Sequence, residues 1–292
     1  MKNQTRGKMG TDSFFAAGSS CSDAQGRGEK GCLSPFFRPI HNAALAIVFA
    51  ASAFAQGPGG PPRQVQGKAG APIDLTGYWV SVVTEDWRYR MLTPAKGDYA
   101  SVPLSADGKK AADAWDPDKD TASGNACKAY GAVGLTRQPT RIHITWADDN
   151  TLKAEFDAGT QTRLFHFDKQ PAGGEATWQG VSEAKWDLAA PPPGRNAGPG
   201  AQMDPMTRGG SLKSVTTRLK AGYLRKNGVP YSANATLTEY FSVTNEPNGD
   251  HWLIITSVLD DPANLNQPFI TSTHFKKQAD ATGWSPSPCT AK

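Results

Sequence analysis

Between Arg141 and Asp157 the chain alternates polar and apolar residues twice about a single turn, and this pattern restricts the fold more than any other stretch. RIHITW and LKAEFD flank Asp148-Asp149-Asn150, whose short polar side chains bond to nearby backbone and favour turns. Successive side chains of a strand point to opposite faces, so a slip of one residue would turn the apolar set towards water. Keeping one face apolar pairs Ile142, Ile144 and Trp146 with Phe156, Ala154 and Leu152. The other face then pairs Arg141 with Asp157, His143 with Glu155 and Thr145 with Lys153. Two charge-complementary cross-strand pairs thus emerge from a register chosen on apolarity alone.

The same style extends in both directions. Ala158-Gly159 makes the next turn and TQTRLFHF a third strand, giving an antiparallel meander. Upstream, DLTGYWVSVVTED reads as the first strand, with Tyr78, Trp79, Val80 and Val82 as core candidates. A short helix follows in LSADGKKAADAWDP, where Ser105 is placed to cap and Pro117 to bar continuation. Downstream, SLKSVTTRLKAGYL, ANATLTEYFSVTN, HWLIITSVLDD and PFITSTHFKK read as four more strands, with NEPNGD (Asn245 to Asp250) as a hairpin turn. Residues 189–210 are too rich in Pro and Gly for regular structure and form either a domain linker or a long surface loop. Strands on both sides share one alternating style, so the expectation is a single all-β domain over 73–292: an antiparallel meander closing into a barrel, with a short helix after the first strand. The 30 Gly and 22 Pro suit such a many-turned fold.

The N-terminal 55 residues read differently. Ala43 to Ala55 is an apolar run behind Arg38 and His41, ending in the small-x-small pattern Ala53-Phe54-Ala55. It is shorter than the roughly 20 residues of a spanning helix, and it precedes a Gly/Pro stretch, so it reads as a signal peptide cleaved near Ala55. Residues 1–37 exceed a usual n-region, and a start near Leu33 would leave a compact signal. No Cys follows the run, so no lipid anchor is expected, and with the only long apolar run too short to span, no transmembrane span is expected in a mature, periplasmic or secreted chain. Residues 56–72 read as a disordered linker. Export leaves two cysteines, Cys127 and Cys289, which an oxidising compartment pairs into a disulfide.

The opening D-L-T-G-Y-W is similar to the G-x-W start of lipocalin-like barrels. Cys127 to Gly131 (C-x-x-x-G), Pro139 to Ile144, Asp157 to Arg163, Thr177 to Trp186 and Asp260 to Phe269 then run in an order that resembles a loose group of uncharacterised secreted bacterial proteins. The similarity spans most of residues 73–289. It implies a calycin-like (lipocalin-like) β-barrel and brings no activity with it.

Charge and motifs exclude several functions. Residues 1–55 hold six Lys/Arg and three Asp/Glu of a chain whose net charge is +4, leaving 25 against 24 in the remainder. A near-neutral domain has no broad footprint for nucleic acid. His143, His166, His251 and His274 lack H-x-H or H-x-x-x-H spacing, so neither a metal site nor a cofactor is expected. There is no G-x-S-x-G elbow, phosphate loop or C-x-x-C.

Arg163 and a C-terminal cluster remain as candidates. If Ala158-Gly159 is a two-residue turn, Gln161, Arg163 and Phe165 continue the apolar face, and an inward Arg163 must be paired or meet a ligand anion. With a three-residue turn it faces solvent. The cluster is Arg218, Tyr223, Arg225, Tyr231, Glu239 and His274, and Gly222 to Ser232 is placed to close a barrel mouth over an anionic or aromatic ligand. Three functions follow: a barrel binding a small, partly apolar molecule in its interior, through Arg163, Arg218, Tyr223, Glu239 and His274; an enzyme with Glu239 or His274 as acid or base; or an interaction module of the cell envelope. An apolar interior favours the first, convergence of Glu239 and His274 the second, and a solidly packed interior the third.

Overall fold

The computed structural model describes residues 64–170, 173–189 and 209–292. The chain divides into two units, Met1–Pro58 and Gly59–Lys292, and all described residues belong to the second. The Ala43 to Ala55 run read as a signal peptide, and residues 190–208 of the long loop, lie outside the described residues.

Nine strands close a barrel: β1 (Gly77–Val82), β2 (Arg141–Asp148), β3 (Thr151–Phe156), β4 (Gln161–His166), β5 (Val181–Leu188), β6 (Gly210–Thr217), β9 (Thr236–Asn245), β10 (His251–Asp260) and β11 (Phe269–Gln278). β7 (Gly222–Tyr223) and β8 (Pro230–Tyr231) form a separate two-stranded ribbon between β6 and β9. The β2–β3 register is the one that apolarity dictates, Ile142 opposite Phe156, His143 opposite Glu155 and Trp146 opposite Leu152. Arg141 and Asp157 meet as expected, the Arg141 amide donating to Asp157 Oδ1 at 2.8 Å. The 245–250 turn closes the β9–β10 hairpin, with the Glu246 amide donating to the Asp250 carbonyl.

The barrel is not wholly antiparallel. β5, whose sequence alternates as V-S-E-A-K-W-D-L, lies parallel to β4 at Phe165–Ser182 and His166–Glu183, because the chain crosses over between them instead of turning back. The stretch read as one strand from Ser211 to Leu224 is broken at Arg218, whose φ of 54° is left-handed and ends β6. The expected helix is present as α2 (Ala106–Asp113), with Ser105 Oγ accepting from the Gly108 amide. Pro117 does not merely stop it; it opens α3 (Pro117–Ala122), where its missing N–H is no loss.

Both ends of the barrel are covered. At one end, α1 (Trp87–Met91), α2, α3, α4 (Ala132–Leu135) and the β7–β8 ribbon form a cap with its own core, including Tyr99, Val133, Leu224, Val229, Tyr231 and Leu265. At the other, the expectation that order begins at Ile73 is corrected. Trp186 Nε1 donates to the Gly67 carbonyl at 2.7 Å, the Trp186 amide to Gln66 Oε1 at 2.7 Å, and the Lys68 amide to the Asp149 carbonyl at 2.9 Å, so residues 64–72 form a fixed strap. Between cap and strap, Trp79, Phe165, Trp186, Leu212, Leu253, Ile255 and Phe275 are fully buried in one core. Among the described residues no helix is long and apolar enough to cross a membrane.

Candidate functional site

Arg163 faces inward. Phe156 pairs with Gln161 and Ala154 with Arg163, which is the parity of the two-residue turn although a 3-10 turn spans Ala158–Thr160. The guanidinium meets Glu239 through two nitrogens, Nη1 to Oε1 at 2.9 Å and Nη2 to Oε2 at 2.5 Å. Thr216 Oγ1 accepts a further bond from Nη2 at 3.3 Å, and Ser182 and Thr216 bond to each other at 2.8 Å. Both charged side chains are fully buried. A bidentate pair of one cation and one anion, surrounded by hydroxyls, is how a barrel core tolerates charge. Arg163 and Glu239 are therefore partners of each other.

The other expected residues do not join them. His274 lies outside the barrel wall between neighbours Val82 and Ile254, its Nδ1 3.1 Å from Glu85 Oε2, whereas Glu239 points inside. Glu239 and His274, whose convergence would favour an enzyme, do not converge. Arg218 stands at the end of β6, half-buried, with its carbonyl accepting from the Thr177 amide. Tyr223 donates to Asp120 Oδ2 at 2.7 Å, and burial together with that carboxylate pushes its phenol above the usual range. Tyr231 packs between Gly131 and Gly222, where an added Cβ would fall 2.3 and 2.6 Å from its Oη. Cys127 and Cys289 form a disulfide, Cα–Cα 5.0 Å, that fixes the C-terminal tail beside the cap. Among the described residues no group of three His, Cys, Asp or Glu is arranged to hold a metal ion.

The cap brings together a set that the sequence reading did not assemble. A cleft of about 260 Å³ is lined by Arg90, Arg137, Arg225 and Lys226, with Tyr89, Tyr130 and Gln138 beside them. Arg90 comes from α1, Arg137 from the turn after α4, and Arg225 and Lys226 from the ribbon loop between Tyr223 and Pro230. The three arginines are 6%, 5% and 3% exposed, as buried as core leucines. Their protein partners are few. Arg90 donates to Glu85 and to the Arg137 carbonyl, and Arg137 Nη2 to Asp86 Oδ2 at 2.9 Å. Arg225 makes no hydrogen bond to a carboxylate among the described residues, and Asp86 and Asp98 act on it only at longer range; Nη1 donates to the Ala100 carbonyl at 2.8 Å and the guanidinium stacks 4.3 Å from the Tyr89 ring.

Six guanidinium nitrogens among the described residues are removed from solvent and find no acceptor: Arg141 Nε and Arg163 Nε stand apart, one on each side chain, and the other four, Arg90 Nη2, Arg137 Nη1 and Arg225 Nε and Nη2, gather at this cleft. A buried N–H of a charged group without an acceptor is among the costliest arrangements in a protein. Burial and then the neighbouring Arg137 push the Arg225 guanidinium down to about 10, still charged at neutral pH. Lys226 adds a further cation, held by Thr290 Oγ1 at 3.2 Å and lying 4.8 Å from the Tyr130 ring. These four cations share two carboxylates by hydrogen bonding or proximity, Glu85 and Asp86, while a third, Asp98, is taken by a fifth cation, Arg88.

Arg225 and its loop were legible as a mouth-closing element; Arg90 and Arg137 were not. WRYR interleaves basic and aromatic residues, which is the signal nearest to a clue. No family model matches this chain, and neither does any curated protein or solved structure.

Proposed function

We propose that this protein is an exported β-barrel that binds a small oxyanion-bearing molecule in the arginine cleft of its cap. The observation that carries the reading is the set of four buried, acceptor-free guanidinium nitrogens on Arg90, Arg137 and Arg225. Carboxylate, phosphate and sulfate supply planar or tetrahedral oxygens that a guanidinium fork matches. The excess of two positive charges favours a dianion over a monoanion. The ligand lies at the covered mouth instead of the barrel interior, whose volume is taken by core side chains and the Arg163–Glu239 pair.

Export is supported by the Ala43 to Ala55 run and by the Cys127–Cys289 bridge, since such bonds persist in oxidising compartments. The likeness to secreted bacterial proteins with a calycin-like barrel agrees with both.

Titration calorimetry with inorganic phosphate tests the reading. The wild-type domain binds phosphate with an affinity that falls as ionic strength rises. Arg225→Met weakens it at least about tenfold, as expected for loss of a charge-assisted contact, and Arg218→Ala, outside the cleft, leaves it unchanged. Absence of phosphate binding to the wild type, or equal binding by Arg225→Met, sinks the proposal.

A further inference from the structure

The cleft has an apolar rim that its charge does not explain. Six large hydrophobic side chains are exposed among the described residues, and three of them, Trp87, Met91 and Leu92, fall on α1 and the residue that follows it. They are 60%, 54% and 65% exposed. Met91 and Leu92 line the cleft directly, with Pro94 and Leu224 continuing the apolar wall. Trp87 stands one helical turn before Met91 and shares its face.

Local folding does not require these residues to be apolar. α1 is anchored by its polar members, Arg90 to Glu85 and to the Arg137 carbonyl, and Arg88 to Asp98 at 2.9 Å. Polar side chains at 87, 91 and 92 would leave those anchors intact and would suit water better. A run of exposed apolar groups touching a cationic cleft is instead suited to a partner with two halves. The cleft volume, about 260 Å³, is small for a whole organic ligand, so a tail leaving the charged pocket must run across its rim.

Building on the oxyanion reading, we infer that the ligand is an amphiphilic anion, with a phosphate or carboxylate head on Arg90, Arg137 and Arg225 and an alkyl or aryl tail along Met91 and Leu92. The head supplies acceptors to the buried guanidinium groups, and the tail covers side chains that otherwise stand in water.

The experiment compares inorganic phosphate with methyl, butyl and hexyl phosphate, below their aggregation range, on wild type, on Met91→Ser/Leu92→Ser and on Arg225→Met. Because residues 91 and 92 are exposed, the double variant is expected to fold as the wild type does, and a melting curve checks this. For wild type, affinity rises about twofold with each added methylene that the rim partly covers. In the double variant inorganic phosphate binds unchanged and the chain-length gain is lost. If hexyl phosphate binds no more tightly than inorganic phosphate, or the double variant keeps the gain, the amphiphile is overturned while the oxyanion site stands. If no phosphate binds the wild type, or Arg225→Met binds all of them equally, the oxyanion reading itself fails. A parallel cosedimentation with phosphatidic acid in phosphatidylcholine vesicles separates the sources. Arg225-dependent binding to vesicles places the head in a bilayer, and binding of soluble hexyl phosphate alone places it on a free molecule; either keeps the inferred chemistry.

Discussion

The protein buries arginine in two places and treats the two differently. Inside the barrel, Arg163 is matched charge for charge by Glu239 and lies among hydroxyls of Ser182 and Thr216. In the cap, Arg90, Arg137 and Arg225 share two carboxylates, and Arg225 has neither of them as a hydrogen-bond partner. Burial is similar; compensation is not. A paired buried charge reads as architecture, because removing either member strands the other in a low dielectric. An under-compensated cluster at a cleft reads as a binding site, because the missing acceptors can arrive with a ligand.

The largest expected effect falls on the matched pair. Glu239→Ala strands Arg163 and lowers stability by about 3–5 kcal/mol in urea unfolding, whereas the double change Arg163→Met/Glu239→Leu recovers most of it. Disulfide reduction comes next. The bridge closes a loop of 162 residues, for which the chain-entropy model sets a ceiling of about 5 kcal/mol, and about 2–4 kcal/mol is expected. It also loosens the tail that supplies Ser287 to the cleft and Thr290 to Lys226, so phosphate binding weakens with it. Arg225→Met, by contrast, changes stability by no more than about 1 kcal/mol in either direction, because it removes a poorly compensated cation. Should Arg225→Met unfold the protein as Glu239→Ala does, the distinction between the two clusters collapses.

The smallest effect is an alkaline one. The Tyr223 phenol is raised by burial and by its bond to Asp120. Its contribution is therefore complete below the ordinary tyrosine value of about 10 and is lost as pH rises above it, since the unfolded chain releases the proton first. Tyr223→Phe should show a shallower fall in melting temperature across that window than wild type.

Much of the architecture was legible because strands write a period of two. The β2–β3 register followed from Ile142, Ile144 and Trp146 with no knowledge of the third dimension, and the closed barrel from the repetition of that style. The parallel step to β5 was not, since alternation specifies faces and says nothing of which strand lies alongside. The strap at residues 64–72 was hidden because it is held through the backbone carbonyl of Gly67 and the side chain of Gln66, which a Gly/Pro/Gln-rich composition does not announce. The direction of Arg163 hung on whether the turn at Ala158-Gly159 takes two residues or three, which the sequence leaves open, and its partner Glu239, 76 positions away, could be named only as a member of a cluster. The cleft was least legible. Arg90 and Arg137 are 47 positions apart and meet Arg225 only when the cap folds over the barrel. No local spacing encodes that meeting.

The most direct test of the central claim is an anomalous-diffraction measurement on crystals soaked in tungstate, a tetrahedral dianion. The account predicts an anomalous peak inside the cap cleft, with oxygens within hydrogen-bond reach of Arg90 Nη2, Arg137 Nη1 and Arg225 Nη2, and its loss in Arg225→Met. Tungstate found only at exposed lysines, with the cleft holding none at saturating concentration, would contradict it.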